Sequence, residues 1–481
     1  MPTPLRDFRQ RARRAPPDSP EAAAGNQAAH YSIPTGARSS PACTACGTHG
    51  LPSPEPLMKP ADSAPATTRR FHRLDISGPA FWARDFAARD EVFAQLRTEP
   101  GLTWHAPAPA VFPHSEPGFW AVTRQHDIAY ISRHPDLFTS SLGISMDPMP
   151  VELQRPTSFF LTMDPPRHTR YRRLISAAFT PKQVRRIEIQ IRANAAEIVD
   201  EFLADLRGEE PVDLVDSLSR KLPMRTVSDM IGIDRADRET VAYAAEAMFG
   251  SSDEEYASLE ERAGFFMSQF TVLHGTATEL AARRRRAPRD DLMSAIVTAE
   301  VDGHRLTDEE IGAFMVLLAS AGNDTLKQTT SHGFKALIDH PAQREWLLED
   351  PASRLGGAVE EFIRWATPVV HFARHAVTDT EVAGTRVRAG EKLVLFYCSA
   401  NRDEAALDAP HIFDLTRDPN PHSGFGGGGA HFCLGAWLAR MQLRLLFHEL
   451  LSRIPDVVLG EPEYVHSDFV HGIRRMPVRR A

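Results

Sequence analysis

Apolar residues recur at helical spacing through most of the chain after its N-terminal segment, whereas strand patterns are few. The clearest helix is predicted within residues 306–341, where Thr307 and Glu310 form a capping box and Pro341 follows the predicted end. It exceeds thirty residues, so we expect it to cross the centre of the molecule. The clearest strand is predicted at residues 393–397. The pattern predicts one large, mainly α domain with a small β region.

Residues 1–66 have a different composition from the rest of the chain. Phe8 and Tyr31 are their only aromatic residues, valine is absent, and Pro, Ala, Ser and Arg dominate. Such a segment buries too little apolar surface to offset its ordering entropy. We therefore expect it to be disordered, with the folded domain spanning residues 67–481. An alternative is that translation begins at Met58.

Composition and charge exclude several classes of protein. With 481 residues, a net charge of −8 and a pI of about 6.2, the chain is not typical of a nucleic-acid-binding protein. No apolar run reaches the roughly 18 residues that span a membrane. Four cysteines do not make a disulfide scaffold, and the CxxC pair Cys43 and Cys46 has no second pair to complete a zinc site. We expect a cytoplasmic, monomeric protein.

The segment GFGGGGAHFCLG, residues 424–435, combines a glycine run with a single cysteine and an apolar helix predicted from about Leu434 to Leu451. Each glycine loses much backbone freedom on folding, so the run indicates that something approaches this backbone closely. Unpaired N–H groups and the macrodipole at a helix N-terminus favour an anion, which biases Cys433 toward thiolate. The glycines would let backbone N–H groups approach the sulfur and let a flat ligand lie against the chain.

This loop resembles the haem-binding loop of the cytochrome P-450 superfamily, the haem-thiolate monooxygenases. The resemblance implies the cytochrome P-450 fold, with the long central helix over haem b and Cys433 as the axial ligand of the iron. The common form has phenylalanine seven residues before the cysteine, whereas here Gly426 holds that position and Phe425 lies one residue further away. A similar expanded form occurs among actinobacterial members that act on sterols and branched lipids. No segment of the chain resembles a flavin-binding domain, so we expect no tightly bound flavin.

The middle of the long helix carries an acid followed by an alcohol, Asp324 and Thr325. Gly322 leaves a gap in the side chains, and the Thr325 hydroxyl can hydrogen-bond back along the helix. Alone, this segment could be a polar spot that faces solvent. It resembles the oxygen-activating segment of the family, which implies that Asp324 and Thr325 are catalytic and deliver protons during oxygen activation.

Glu361 and Arg364 stand at i and i+3, which places them on one face of a helix as an ion pair. An E-x-x-R match is common by chance. The family resemblance adds Arg417 as a third partner. It implies a buried charge network with a structural role, which holds the cysteine loop in place.

The basic segment that follows Pro165 and Pro166 places His168 and Arg172 on one helical face. By itself it could be a solvated basic helix. The resemblance implies that both residues bind haem propionates, because two carboxylates on an apolar cofactor need such partners. The other cofactor contacts that the resemblance implies are Ala321, Arg374, Phe425, Gly429 and His431.

The residues that the resemblance places around the substrate are apolar, although apolar residues at these positions could also be core. They are Phe159, Phe160, Leu317, Val369, Val370, Phe372 and Val470. The expanded loop favours a sterol, a terpenoid or a branched lipid as substrate.

The resemblance implies a monooxygenase that hydroxylates a hydrophobic molecule with O₂ and two electrons. The chain holds no reductase segment, so we expect an external ferredoxin and ferredoxin reductase. Their docking face would include Arg170, Arg173, Arg440 and Arg444. A peroxide-driven enzyme and a non-catalytic haem protein are the alternatives. The run Arg283–Arg286 is interpreted as a surface turn.

Overall fold

The computed structural model describes residues 69–110, 114–249 and 259–481. The N-terminal residues 1–66, with Cys43, Cys46 and Met58, lie outside these ranges, so their disorder and the alternative start stay predictions.

Helices make up most of the described part of the chain. In chain order the α-helices are α1 (Pro79–Trp82), α2 (Phe86–Thr98), α3 (Gln125–Arg133), α4 (Val151–Ser158), α5 (Arg167–Ala177), α6 (Pro181–Asp205), α7 (Lys221–Ile231), α8 (Arg238–Phe249), α9 (Leu259–Arg286), α10 (Leu292–Thr298), α11 (Asp308–Asp339), α12 (Pro341–Glu349), α13 (Pro351–Ala366), α14 (Tyr397–Ala400) and α15 (Ala436–Leu451). A 3₁₀ turn at Phe159–Thr162 follows α4, and a π-helical segment at Val215–Ser219 precedes α7.

The central helix α11 confirms the longest element predicted from the sequence. It has 32 residues, and its start is the predicted capping box. The Thr307 hydroxyl accepts the N–H of Glu310 at 3.2 Å, and the Glu310 carboxylate accepts the N–H of Thr307 at 3.0 Å. Most of its residues are buried, and it packs against α4, α7, α8, α9 and α13. This burial on nearly all sides makes α11 the axis of the fold.

Strands form one main sheet and three small ones. The strands are β1 (Thr103–His105), β2 (Phe119–Val122), β3 (Phe138–Thr139), β4 (Val212–Asp213), β5 (His371–Ala376), β6 (Thr380–Val382), β7 (Thr385–Val387), β8 (Lys392–Phe396), β9 (Val457–Leu459), β10 (Glu463–Tyr464), β11 (Ile473–Arg475) and β12 (Pro477–Arg480). The main sheet has the order β1-β2-β8-β5-β3, in which only the β2–β8 pair is parallel. The small sheets are β4-β12-β9, β6-β7 and β10-β11. Strand β8 confirms the strand predicted from residue 393.

Aromatic side chains tie the central helix to its neighbours. The ring of Phe334 on α11 contacts that of Phe202 on α6 at 6.3 Å, and Phe362 on α13 contacts Phe447 on α15 at 4.6 Å. All four side chains are nearly inaccessible to solvent. Truncating a phenylalanine in such a core costs about 3–5 kcal/mol. These contacts hold α15, and with it the end of the cysteine loop, against the centre of the molecule.

The four consecutive arginines Arg283–Arg286 are the last turn of α9, and the interpretation as a surface turn was wrong. Arg284 is buried, and its guanidinium donates to the Asp291 carboxylate at 2.5 Å and to the Gly232 carbonyl at 2.8 Å. Gly232 ends α7 with a φ of 87°. Arg284 of this run therefore connects the end of α7 and the end of α9 with the start of α10.

Candidate active site

The cysteine loop is closed by its own backbone before α15 begins. The Cys433 N–H donates to the Phe425 carbonyl at 3.1 Å, and the Gly426 N–H donates to the Ser423 carbonyl at 2.9 Å. Helix α15 begins at Ala436, two residues later than the sequence pattern predicted. Cys433 thus lies in the loop, just before the helix N-terminus.

The close approach that the glycine run predicted is made by helix α3. A Cβ on Gly427 would lie 2.4 Å from the Ser132 hydroxyl and 2.7 Å from the Ile128 carbonyl. A Cβ on Gly429 would lie 2.1 Å from the Ser132 carbonyl, and Gly429 also has a φ of 72°. At Gly427 and Gly429 the close neighbour on the Cβ side is helix α3, and the expectation that a flat ligand lies against this loop stays a prediction.

Gly429→Ala should lower the free energy of unfolding by at least about 2 kcal/mol, because it adds a backbone clash to a left-handed conformation. Gly356→Ala on α13 is the matched control, since a Cβ there has no atom within 4 Å. It should leave stability unchanged or raise it by about 0.5–1 kcal/mol. Urea unfolding of both variants measures the difference, and equal stabilities would contradict the packing of the loop on α3.

The surroundings of Cys433 act on its thiol in opposing directions. Its side chain is accessible, yet protein atoms surround it densely enough that burial raises the pKa of the thiol. The N–H of Gly435 and the cations Arg172 and Arg440 act in the opposite direction and do not outweigh burial. The chain alone therefore does not bias Cys433 toward thiolate, contrary to the expectation. Coordination to a metal deprotonates a thiol outright.

Beside the loop, Arg440 is neutralised by an acid of α13. Its guanidinium lies over the Phe425 ring at 4.5 Å and makes two 2.7 Å hydrogen bonds to Glu360. Burial acts to raise the pKa of Glu360, but the hydrogen bonds from Arg440 and His422 lower it to about 2. Arg440 is therefore a weak contributor to the predicted docking face, and it fixes Phe425 in the loop.

The other three arginines of the predicted docking face are exposed. Arg173 lies 3.6 Å from Asp302, in a solvent-accessible ion pair. Arg170 and Arg444 are exposed, and no ion pair within the described ranges involves them. These two side chains carry most of the free positive charge that the prediction assigned to this face.

Four basic side chains predicted to bind the cofactor meet in one place. His168 and Arg172 come from α5, Arg374 from β5, and His431 from the cysteine loop. The rings of His168 and His431 are 4.2 Å apart, and Arg172 donates to the Ala430 carbonyl at 3.1 Å. Arg374 is buried and donates to its neighbour's carbonyl at 2.6 Å. We call these four residues the basic cluster.

Electrostatics in the basic cluster suit an anionic ligand. Burial and nearby Arg172 lower the pKa of His168 to about 4, and burial with Arg374 lowers that of His431 to about 2. Both ring nitrogens of His168 and Nδ1 of His431 are buried without a hydrogen-bond partner among the described residues. Unpartnered buried donors beside two arginines fit the two carboxylates of haem.

Thr325 and Asp324 occupy different environments on α11. The Thr325 hydroxyl donates to the Ala321 carbonyl at 2.8 Å, as the sequence indicated. Thr325 and Ala321 both line the large cavity described below. Asp324 is buried and does not line that cavity; its carboxylate lies 2.5 Å from the Lys327 ammonium. Lys327 also faces Glu246 at 3.6 Å. Burial acts to lower the pKa of Lys327, but Asp324 and Glu246 raise it.

Lys327 and Glu246 are site residues that the sequence reasoning missed. The i,i+3 spacing of Asp324 and Lys327 on a helix was the available signal. Glu246 lies far away in sequence and gave none. It continues the chain of charges to Arg220, whose Nε lies 3.4 Å from the Glu246 carboxylate.

The three residues predicted to form a buried charge network are together. Arg364 makes two 2.7 Å hydrogen bonds to Glu361, and both side chains are almost completely buried. Arg417 lies 3.4 Å from the Glu361 carboxylate. The missed member is Asn401: its carbonyl accepts from Arg364 at 2.8 Å, and its side chain accepts the N–H of Ser423 at 2.6 Å. This residue links the network to the residue that precedes the cysteine loop.

A cavity of about 540 Å³ opens beside α11. Of the residues predicted to surround the substrate, Leu317, Val369 and Phe372 line it. Lining residues that the sequence did not indicate include Trp82, Met248 and Phe266. Asp147, Leu161 and Asp468 line the cavity as well.

Four residues predicted for the pocket do not line this cavity. Phe159 packs against the Tyr171 ring at 5.3 Å, and Phe160 against the His168 ring at 5.7 Å. Val370 and Val470 are buried, the latter paired with Val369. Their apolar character serves the core and the support of the basic cluster.

Comparison with known proteins identifies the class that this fold and site define. The family model "Cytochrome P450" matches residues 148–454. The chain is 42% identical over 413 residues to the methyl-branched lipid omega-hydroxylase of Mycobacterium tuberculosis, covering 84% of this chain and 94% of that protein. It is 35% identical over 414 residues to the steroid C26-monooxygenase of the same species, covering 84% and 92%.

Solved structures agree with this assignment. A Mycobacterium marinum cytochrome P-450 in complex with pseudoionone has a TM-score of 0.82 and 51% identity, covering 86% of this chain and all (100%) of that one. A Bacillus megaterium structure in complex with corticosterone has a TM-score of 0.70 and 28% identity, covering 83% and 99%.

The chain belongs to the cytochrome P-450 family. It is a haem-dependent monooxygenase, with haem b as cofactor and the fold of that family, and the predicted class, fold and cofactor are confirmed. Within residues 69–110, 114–249 and 259–481, no helix is long and apolar enough to cross a membrane.

Proposed function

We propose that this monooxygenase hydroxylates a methyl-branched or terpenoid lipid, or a sterol, with electrons from a ferredoxin and its reductase. The observation that carries the proposal is the 540 Å³ cavity, whose wall combines Leu317, Ala321 and Thr325 of α11 with apolar residues of the sheet side. Its size lies in the range of pockets for drug-sized ligands. The names of the mycobacterial relatives and the pseudoionone in the Mycobacterium marinum structure support this substrate class.

In this proposal Cys433 would hold the haem iron through its sulfur, and haem, when bound, would supply the activation of O₂. We expect the basic cluster to hold the propionates, because its arginines and unpartnered imidazole nitrogens can donate hydrogen bonds to carboxylates. We expect Ala321 and Phe425 to contact the cofactor. Gly429 acts indirectly, since its packing on α3 fixes the backbone between Phe425 and Cys433.

Thr325 holds a proton at its hydroxyl on the cavity wall, and Asp324 supplies protons from the charge network behind it. The hydroxyl is held by the Ala321 carbonyl, which orients Oγ1 at the wall. Asp324 reaches the network through Lys327 and Glu246. A proton route from Asp324 to Thr325 then requires the Asp324 carboxylate to leave Lys327.

Thr325→Ala should keep haem and substrate binding but lower the ratio of product formed to electrons consumed by about tenfold or more, with hydrogen peroxide as the other product. The matched control is Thr329→Ala, one turn later on α11. Its hydroxyl makes the equivalent bond to the Thr325 carbonyl at 2.9 Å but does not line the cavity. Product, NADPH and peroxide are measured with a ferredoxin system and phytanol as substrate.

Unchanged coupling in Thr325→Ala would contradict the proton role. Turnover with peroxide but none with the ferredoxin system would favour the peroxide-driven alternative, and binding without any turnover would favour a non-catalytic haem protein. We also propose that Arg170 and Arg444 contribute to ferredoxin docking, because they are exposed and have no ion-pair partner among the described residues. The cytoplasmic location and the monomeric state stay predictions from the sequence.

A further inference from the structure

One part of the wall of the large cavity is acidic. Asp147, from the segment between β3 and α4, and Asp468, from the turn between β10 and β11, both line it. Elsewhere the wall is mainly apolar, with Trp82, Leu161 and Phe266 among its residues. Two carboxyl groups on the wall of an apolar cavity are costly to desolvate, so they call for a reason.

The two acids affect each other, and among the described residues no lysine or arginine forms an ion pair with either of them. Burial, followed by repulsion from Asp468, raises the pKa of Asp147. The cation near them, Lys392, is committed to the Glu116 carboxylate at 2.5 Å and to the Met146 carbonyl at 3.2 Å. This leaves the acid pair with capacity to accept hydrogen bonds.

A buried histidine beside the pair is also unsatisfied. His371 is 1% exposed, and both its ring nitrogens lack a hydrogen-bond partner among the described residues. Its Nε2 lies 3.8 Å from the Asp468 carboxylate, beyond hydrogen-bond distance. His371 does not itself line the cavity, so this buried, unpartnered imidazole lies behind the acid pair and is directed at Asp468.

The pair differs from the structural aspartates of this protein. Asp213, for example, accepts the N–H groups of Met476 at 2.9 Å and Val215 at 3.1 Å. Asp147 and Asp468 have no such donor from another residue within the described ranges. Their carboxyl groups therefore face the cavity, where a ligand can reach them, and do not accept hydrogen bonds from the backbone of other described residues.

We propose that Asp147 and Asp468, with His371 behind them, select substrates whose polar end donates a hydrogen bond, such as a lipid alcohol, and exclude the corresponding carboxylates. This inference rests on the proposed function and names the head group that the cavity takes. A hydroxyl donates to a carboxylate without adding charge, whereas a fatty acid brings a further negative charge into a poorly solvated site. Repulsion against the wrong head group then gives specificity.

The test is a comparison of three ligands that share one branched chain: phytanol, phytanyl methyl ether and phytanic acid. Each is titrated into the ferric holoenzyme, and dissociation constants come from the change in the visible spectrum. The wild type should bind the alcohol at least about tenfold more tightly than the acid, and more tightly than the ether. A tenfold ratio corresponds to about 1.4 kcal/mol.

The double variant Asp147→Asn, Asp468→Asn keeps the shape of the site and removes its charge. The dissociation constant of the acid should then exceed that of the alcohol by about threefold or less. The matched control is Asp302→Asn, the same change at an exposed position outside the cavity, which should leave the ratio unchanged. Each single variant should lower the ratio of the two dissociation constants by part of this amount. The single variants provide the test if the double variant folds poorly.

Equal binding of alcohol and acid by the wild type, or a ratio that survives in the double variant, would overturn this inference while the branched-lipid function stands. An ether that binds as well as the alcohol would overturn the requirement for a donor. Failure of all three ligands to bind would count against the proposed function itself, and the inference would fall with it.

Discussion

Glu361→Ala should lower the free energy of unfolding by about 3–5 kcal/mol and yield protein with little haem. The change leaves the buried guanidinium of Arg364 without its charge partner, since both 2.7 Å hydrogen bonds to the carboxylate are lost. The carboxylate also accepts the Asp414 N–H at 2.9 Å and the Asn420 amide at 3.0 Å. These donors too become unsatisfied in a dry interior.

The loss of haem follows from the position of Asn401. Its carbonyl is held by Arg364, and its side chain holds Ser423, the residue before the cysteine loop. When Arg364 moves, this support of the loop moves with it. We therefore propose that the network of Glu361, Arg364 and Arg417 is structural and acts on Cys433 through Asn401.

The neighbouring Glu360→Ala is the matched control, because Glu360 forms its ion pair with the partly exposed Arg440. It should cost about 1 kcal/mol or less. Urea unfolding and haem content per chain are measured for both variants. A Glu361→Ala protein with normal haem content and wild-type stability would refute the structural assignment.

Cys433→Ser should abolish hydroxylation and remove the spectral signature of a thiolate ligand, with little effect on folding. The side chain is accessible to solvent, so we expect the free energy of unfolding to change by no more than about 0.5 kcal/mol. The hydroxyl of serine does not supply the electron density that a thiolate supplies to iron. Activity and circular dichroism separate the loss of the ligand from the loss of the fold.

Cys398→Ser controls for the loss of any thiol. Cys398 is buried, and burial raises the pKa of its thiol to about 12, so it stays neutral. The serine variant should keep the thiolate spectrum and lose about 1–2 kcal/mol of stability, because its hydroxyl is placed in an apolar site. A Cys433→Ser protein that keeps full activity would contradict the ligand assignment.

Local patterns predicted the central helix and its start. The capping box of Thr307 and Glu310 depends on residues three apart, so sequence spacing carries it completely. The ion pair of Glu361 and Arg364 is local in the same sense. Arg417 came only from the resemblance, because it lies 53 or more positions along the chain from its partners.

Features that depend on tertiary packing were not predictable. The glycine run indicated a close approach but not that its neighbours are Ser132 and Ile128 of α3. Likewise, Phe159 and Phe160 were predicted to line the pocket, because an apolar residue suits a core and a cavity wall equally well. The proximity of Asp147 to Asp468 was not predictable, since only the fold brings the turn that carries Asp468 to the same cavity wall.

The central claim is that Cys433 is the thiolate ligand of haem iron in this monooxygenase. The most direct measurement is the absorption spectrum of the reduced holoenzyme under carbon monoxide, recorded for the wild type and Cys433→Ser. We expect the strongly red-shifted Soret band of thiolate ligation in the wild type and its absence in the variant. A band typical of imidazole ligation in the wild type, or an unchanged red-shifted band in Cys433→Ser, would contradict the claim.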